Sequence, residues 1–134
     1  MVGIFVNEDE YPFAEWIVGG LKKYETRNKD MLKHLFGRRV AIVSTKRGRK
    51  PCVVGYATIT EKIKLYPCDR TESQWEMWYR EDAMISRYSK YDDVSNGKVL
   101  YRMSDTEKCE PYTIPNNTVY HGRSWCSWES NIKI

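Results

Sequence analysis

The chain has 134 residues, 41% of them hydrophobic and 13% aromatic, so it predicts one globular domain over 1–134 and excludes a disordered or low-complexity chain. Lysine and arginine number 22 against 18 aspartate and glutamate, and this net charge of +4 permits a polyanionic partner without demanding one. Cys52, Cys68, Cys109 and Cys126 contain no Cys-x-x-Cys pair and lie far in sequence from His34 and His121, which argues against a zinc site on the usual short spacings.

No signal peptide is visible at the start, and no apolar run approaches the roughly 20 residues of a membrane helix. The expectation is a cytoplasmic protein with reduced thiols and no membrane partner. Nothing in the sequence implies a cofactor or a bound metal.

In chain order, Val2 to Val6 is a short β-branched and aromatic run, a first strand. After the acidic stretch Asn7 to Tyr11, Pro12 suits the first helical position, and Phe13, Trp16 and Ile17 share a helical face, predicting a helix over Phe13 to Val18. Gly19-Gly20 ends it. Lys23 to Arg27 then reads as a strand with Lys23, Glu25 and Arg27 on one face and Tyr24 and Thr26 on the other. Glu25 and Arg27 are thus about 7 Å apart along the strand, while Lys22 lies in the turn, its direction unfixed.

Asn28 to Phe36 is a polar connection with some helical character. Arg38 to Thr45 is the plainest strand, its continuous apolar centre predicting burial on both faces. Lys46 to Lys50 forms a basic loop. Cys52 to Thr60 is a further strand, in which Gly55 marks a bulge or a close approach to the backbone. Ile63 to Asp69 reads as irregular. A second helix opens at Thr71, with Gln74 completing a capping box, and runs to about Ser86 with Trp75, Trp78 and Tyr79 on one face. Arg87 to Asn96 is a loop, Lys98 to Met103 a strand, Ser104 to Pro111 a loop, Tyr112 to Ile114 a short strand and Pro115 to Asn117 a turn. The tail carries Trp125 and Trp128 without a legible register. Five or six strands with one early and one inserted helix predict an α+β fold, a small mixed β-barrel.

Lys22, Glu25 and Arg27 are the first candidate site. A lysine whose pKa is lowered by burial is a base, a glutamate whose pKa is raised is an acid or base, and an arginine clamps phosphate or a base edge. The plain alternative is a solvated strand face with a surface ion pair. Lys46, Arg47, Arg49 and Lys50 either hold an RNA backbone or are a solvated hairpin tip. Tyr101, Trp125 and Trp128 are candidates for stacking on a base, against the commoner role of core packing. The aromatics of the second helix read as packing.

The segment Gly20-x-Lys22-x-x-Glu25-x-Arg27 resembles the signature of the ASCH domain, a branch of the PUA-like superfamily. Pro12-Phe13-Ala14-Glu15 before it, Lys23-Tyr24-Glu25 within it, Gly37-Arg38-Arg39-Val40-Ala41-Ile42 and Val53-Val54-Gly55-Tyr56-Ala57 after it extend the likeness across residues 1–62. It is looser over 97–129, and 63–96 reads as a variable helical insertion. The resemblance implies a β-barrel with a cleft beside the signature that binds RNA or a modified nucleoside, with Lys22, Tyr24, Glu25 and Arg27 at the ligand. Some members of that family remove the acetyl group of N4-acetylcytidine with a lysine at the Lys22 position, a threonine nucleophile at the Glu25 position and a distant glutamate. Glu25 departs from that pattern, since a carboxylate does not replace the hydroxyl nucleophile, and Thr26 has the opposite strand parity. Another member is a ribonuclease, a chemistry Lys22, Glu25 and Tyr24 would have to carry here. The resulting expectations, in order, are an RNA- or nucleotide-binding module; a hydrolase of RNA or a modified nucleoside with Lys22 and Glu25 as catalytic groups; and a protein-interaction domain contacting partners through residues 63–96.

Overall fold

The structure is a computed structural model and describes residues 1–67 and 73–129. Its frame is one sheet of seven strands: β1 (Val2–Asn7), β2 (Tyr24–Arg27), β3 (Arg39–Lys46), β4 (Arg49–Leu65), β5 (Lys98–Thr113), β6 (Val119–His121) and β7 (Trp125–Ser127). They lie in the order β2-β5-β4-β3-β1-β7-β6. Every neighbouring pair is antiparallel except β1 and β3, which run parallel with Gly3 opposite Ala41 and Asn7 opposite Thr45. The class is α+β. The expected barrel is not closed: among the described residues no ladder joins β2 to β6, and the sheet curls with a gap between its ends. The Arg27 guanidinium crosses toward that gap and donates to the Phe5 carbonyl at 2.6 Å.

The middle strands divide their side chains between two apolar cores. Val2, Ile4 and Val6 of β1 join Val40 and Ile42 of β3 in the larger core, beneath the helix α1 (Phe13–Val18). Phe5, Ala41 and Val43 join Val53, Ile114, Cys126 and Trp128 on the opposite face. Burial on both faces is what the unbroken apolar run of β3 predicts.

Helix α1 buries Phe13, Ala14, Ile17 and Val18 and starts at Pro12, which occupies the cap rather than the first helical position. Its C-terminal end sets the direction of the chain into β2. Gly20 takes φ +81°, its N–H donates to the Ile17 carbonyl at 3.0 Å, and the Leu21 N–H donates to the Trp16 carbonyl at 2.9 Å. These two bonds form a Schellman cap, which needs a left-handed residue where Gly20 stands. The Lys22 N–H then closes on the same Trp16 carbonyl at 3.0 Å, so Lys22 leaves the helix end already turned back toward it.

Gly55 meets both sequence expectations for a strand glycine. The pairing slips beside it on both edges of β4, and a Cβ there would lie 2.2 Å from the Glu107 carbonyl oxygen and 2.6 Å from Val18 Cγ1. Only a missing side chain lets α1 press this closely on the sheet.

Three local readings are corrected. Ile63 to Leu65, expected irregular, continues β4 against Lys98 to Leu100. Ser104 to Pro111, expected to be a loop, lies within β5, its backbone paired with β4 while its side chains are largely exposed. A polar strand exposed this way carries no apolar alternation to read, and Pro111 falls where the register slips between the Val53–Tyr112 and Gly55–Lys108 pairs, so its missing N–H breaks no ladder bond. The basic loop is narrower than expected, a tight turn at Arg47-Gly48 with Lys46 paired to Arg49.

Between β4 and β5, α2 (Ser73–Glu76) runs on as a π-helical turn over Met77–Asp82 and stops short of Ser86. The expected cap at Thr71, with Cys68 and Asp69, lies outside the described residues. Trp75 is 2% exposed and packs on Tyr79 at 4.9 Å, and Trp78 is half-buried against the larger core. The aromatic face is thus turned inward, which counts against a docking surface made from it. No helix among the described residues is long and apolar enough to cross a membrane.

Candidate functional site

A cavity of about 560 Å³ opens at the gap in the sheet, between the free edge of β2, the end of β1 and the β6–β7 turn. Lys22, Glu25 and Arg27 all border it. The Schellman cap directs Lys22 inward, where it is 1% exposed. Its Nζ donates to the Ala83 carbonyl and lies 4.7 Å from the centre of the Phe13 ring. Burial holds the Lys22 pKa down to about 8; Glu25 opposes that shift and Arg27 adds to it.

Glu25 is 7% exposed. Because β2 is the sheet's edge, the Thr26 N–H has no strand to bond, and Glu25 Oε1 accepts it at 2.9 Å. Glu25 Oε2 pairs with Arg27 at 3.2 Å, as their shared strand face predicts. The carboxylate is therefore held between a main-chain donor and a guanidinium. Thr26, expected to face away, also borders the cavity, since the unpaired backbone edge of β2 faces it.

The other residues singled out by sequence are dispersed. Tyr24 lies in the larger core with Arg102 over its ring at 5.3 Å, and is no part of the cavity wall. Tyr101 is 1% exposed; its hydroxyl donates to Asp30 at 2.6 Å and accepts the Leu32 N–H at 3.1 Å, tying down the β2–β3 connection. Burial, with the Asp30 bond, pushes its phenol well above the usual range. Trp125 stacks on the His121 ring at 3.8 Å and meets the tilted ring of His34 at 4.6 Å. Both tyrosines and this tryptophan serve packing, not the cavity surface.

Lys46, Arg47, Arg49 and Lys50 are exposed and do not line the cavity, but Thr45 and Pro51 at the base of their hairpin do. Two acidic residues hold that hairpin: Asp9 accepts the Arg47 N–H at 2.7 Å, and Glu8 accepts the Ser44 hydroxyl, which in turn takes a bond from Arg49. Lys46, Arg47 and Lys50 keep side chains without an ion pair among the described residues.

Sequence reasoning missed Lys98, Tyr120 and Arg123, all of which border the cavity. Lys98 is 5% exposed, donates to Asn28 Oδ1 at 2.7 Å and the Tyr91 carbonyl at 2.8 Å, and is held below the usual lysine range by burial, against the pull of Asp93, Asp92 and Glu25. A lysine directly preceding the apolar run Val99-Leu100 was the available signal. Tyr120 stacks on Phe5 with ring centres 5.7 Å apart and planes 9° apart, and remains exposed. Nothing local in the sequence marks it. The described residues contain no group of three or more histidine, cysteine or acidic side chains placed to hold a metal ion.

Fold and site together define an α+β domain with a cation-rich cavity at the open side of a curled sheet. The ASCH protein of Zymomonas mobilis shares this fold, with a TM-score of 0.69 at 20% identity over 96% of this chain and 88% of that one. Two single-substitution variants of that protein align with TM-scores of 0.65, each at 20% identity and 96% of this chain, covering 89% and 91% of their own. No family model matches the sequence, and no curated protein matches it. The chain has the ASCH fold.

Proposed function

We propose that this protein is an RNA- or nucleotide-binding module whose ligand seats in the cavity beside residues 20–27. The observation that carries this reading is the convergence of Lys22, Arg27, Lys98 and Arg123 on one cavity with, among the described residues, a single lining carboxylate, Glu25, which Arg27 already engages. Cations converging on a concave site favour phosphate, and the exposed Tyr120 face offers a base a surface on which to stack. The basic hairpin at the rim adds an electrostatic contribution that does not depend on sequence.

Fluorescence anisotropy with a labelled single-stranded RNA tests the reading. Affinity falls as salt rises, and the slope shrinks when Lys46, Arg47 and Lys50 are replaced by glutamine. Salt-independent binding, or no binding to any single-stranded RNA or nucleotide, refutes it.

One observation favours a second reading, hydrolysis of RNA or a modified nucleoside. A lysine with a pKa of about 8 supplies neutral amine near physiological pH, as a general base requires. Turnover abolished by Lys22→Met in a folded protein supports it; turnover unchanged by that substitution rules Lys22 out as the base.

A further inference from the structure

The buried charges of the cavity do not balance. Lys22 and Lys98 are both more than nine-tenths buried, and among the described residues neither has a carboxylate within ion-pair distance. Both rest on neutral oxygens, Lys22 on the Ala83 carbonyl, Lys98 on Asn28 Oδ1 and the Tyr91 carbonyl. Glu25 acts on both lysines but is paired with Arg27. Asp92 and Asp93 also act on Lys98, yet Asp92 is paired with Arg80 at 3.0 Å and Asp93 caps the Ser95 N–H at 3.1 Å. Two positive charges are left in the cavity wall without an ion-pair partner among the described residues, in surroundings where unpaired charge is costly.

Donors are left over as well. Lys98 uses two of its three ammonium hydrogens on the described residues, and the buried Nε of Arg27 has no hydrogen-bond partner among them. Arg27 also bonds the carbonyl of Phe5, the residue on which Tyr120 stacks, so cation and aromatic face meet at one end of the cavity. The volume, about 560 Å³, lies within the ~300–1,000 Å³ that encloses one small molecule rather than a length of chain.

We propose that the ligand of this cavity carries a phosphate monoester, as a free nucleotide or as the phosphorylated end of an RNA, with Lys98, Lys22 and Arg27 receiving the dianion. The inference rests on the nucleotide-binding reading and narrows it. A monoester carries close to two negative charges at neutral pH and three acceptor oxygens, matching both the charge and the donors left over. An internal phosphodiester brings one charge, and a nucleoside brings none.

Isothermal titration tests this with each of the four ribonucleosides, their 5′- and 3′-monophosphates and the methyl esters of those monophosphates. A parallel pair of RNA oligomers differs only in a terminal phosphate or hydroxyl. The expected result is that at least one monophosphate, or the phosphorylated oligomer, binds about tenfold or more tightly than its ester or hydroxyl counterpart, since charge-assisted bonds discriminate on that scale. A free monophosphate that wins identifies a nucleotide ligand; a preference confined to the oligomer identifies an RNA end. Lys98→Gln removes the preference and Lys98→Arg retains it; if Lys98→Gln fails to fold, the ester comparison on the unaltered protein decides alone. Equal affinity for monoester, ester and nucleoside overturns the monoester assignment and leaves nucleotide binding standing. No binding of any of these compounds or of either oligomer overturns both.

Discussion

Lys22→Met isolates the cost of burying one ammonium. Lys22 is fully enclosed, and its pKa falls from an ordinary 10.5 to about 8 because burial disfavours the charged form. Below pH 8 both folded and unfolded chains carry the proton, and the folded state bears the whole cost. Between pH 8 and 10.5 the unfolded chain binds more protons than the folded one, so stability rises with pH across that window; above it the cost is gone. At about 1.36 kcal/mol per pH unit, the wild-type protein gains about 2–3 kcal/mol between pH 7 and pH 10 from this residue. Methionine keeps much of the packing and removes the titration, while leaving the Ala83 carbonyl without its donor at every pH. Other lysines and tyrosines titrate alike in both proteins, so the difference between their urea unfolding free energies cancels them. That difference shifts by about 2–3 kcal/mol in favour of the wild type from pH 7 to pH 10. Parallel pH profiles for the two proteins would refute the assignment of Lys22 as a buried, strained ammonium.

Glu25→Gln keeps an acceptor for the Thr26 N–H but withdraws the charge facing Arg27, and costs about 1–3 kcal/mol in thermal or urea unfolding. The same variant binds an anionic ligand more tightly, because a negative charge leaves the cavity wall; weakened binding would show instead that the carboxylate contacts the ligand. Gly55→Ala forces a methyl group to within 2.2 Å of the Glu107 carbonyl and 2.6 Å of Val18, and overpacking of this kind costs about 1–3 kcal/mol. Urea midpoints measure it, and a midpoint equal to wild type would mean that α1 does not press on the sheet as described.

The features legible in the sequence alone are local ones. The apolar runs of β1 and β3 mark their own strands, and the spacing of Phe13 and Ile17 marks α1. The glycine pair ends that helix, and the parity of β2 brings Glu25 to Arg27. Each depends on neighbours within a few residues, where periodicity and turn chemistry act. Long-range packing settles the remainder. The polar half of β5 is a strand only because β4 supplies its hydrogen bonds from a distant part of the chain, and no apolar pattern announces a strand so exposed. Tyr101 and Trp125 carry the chemistry of ligand stacking, yet one is engaged by Asp30 and Leu32 and the other by the rings of His121 and His34, partners that only the folded chain brings near. Lys98, Tyr120 and Arg123 reach the cavity because the sheet curls without closing, which brings its two ends to the same opening as Lys22. Strand order and curvature arise from pairings between distant segments, and these turn a local cluster of three charges into a cavity with an excess of buried positive charge.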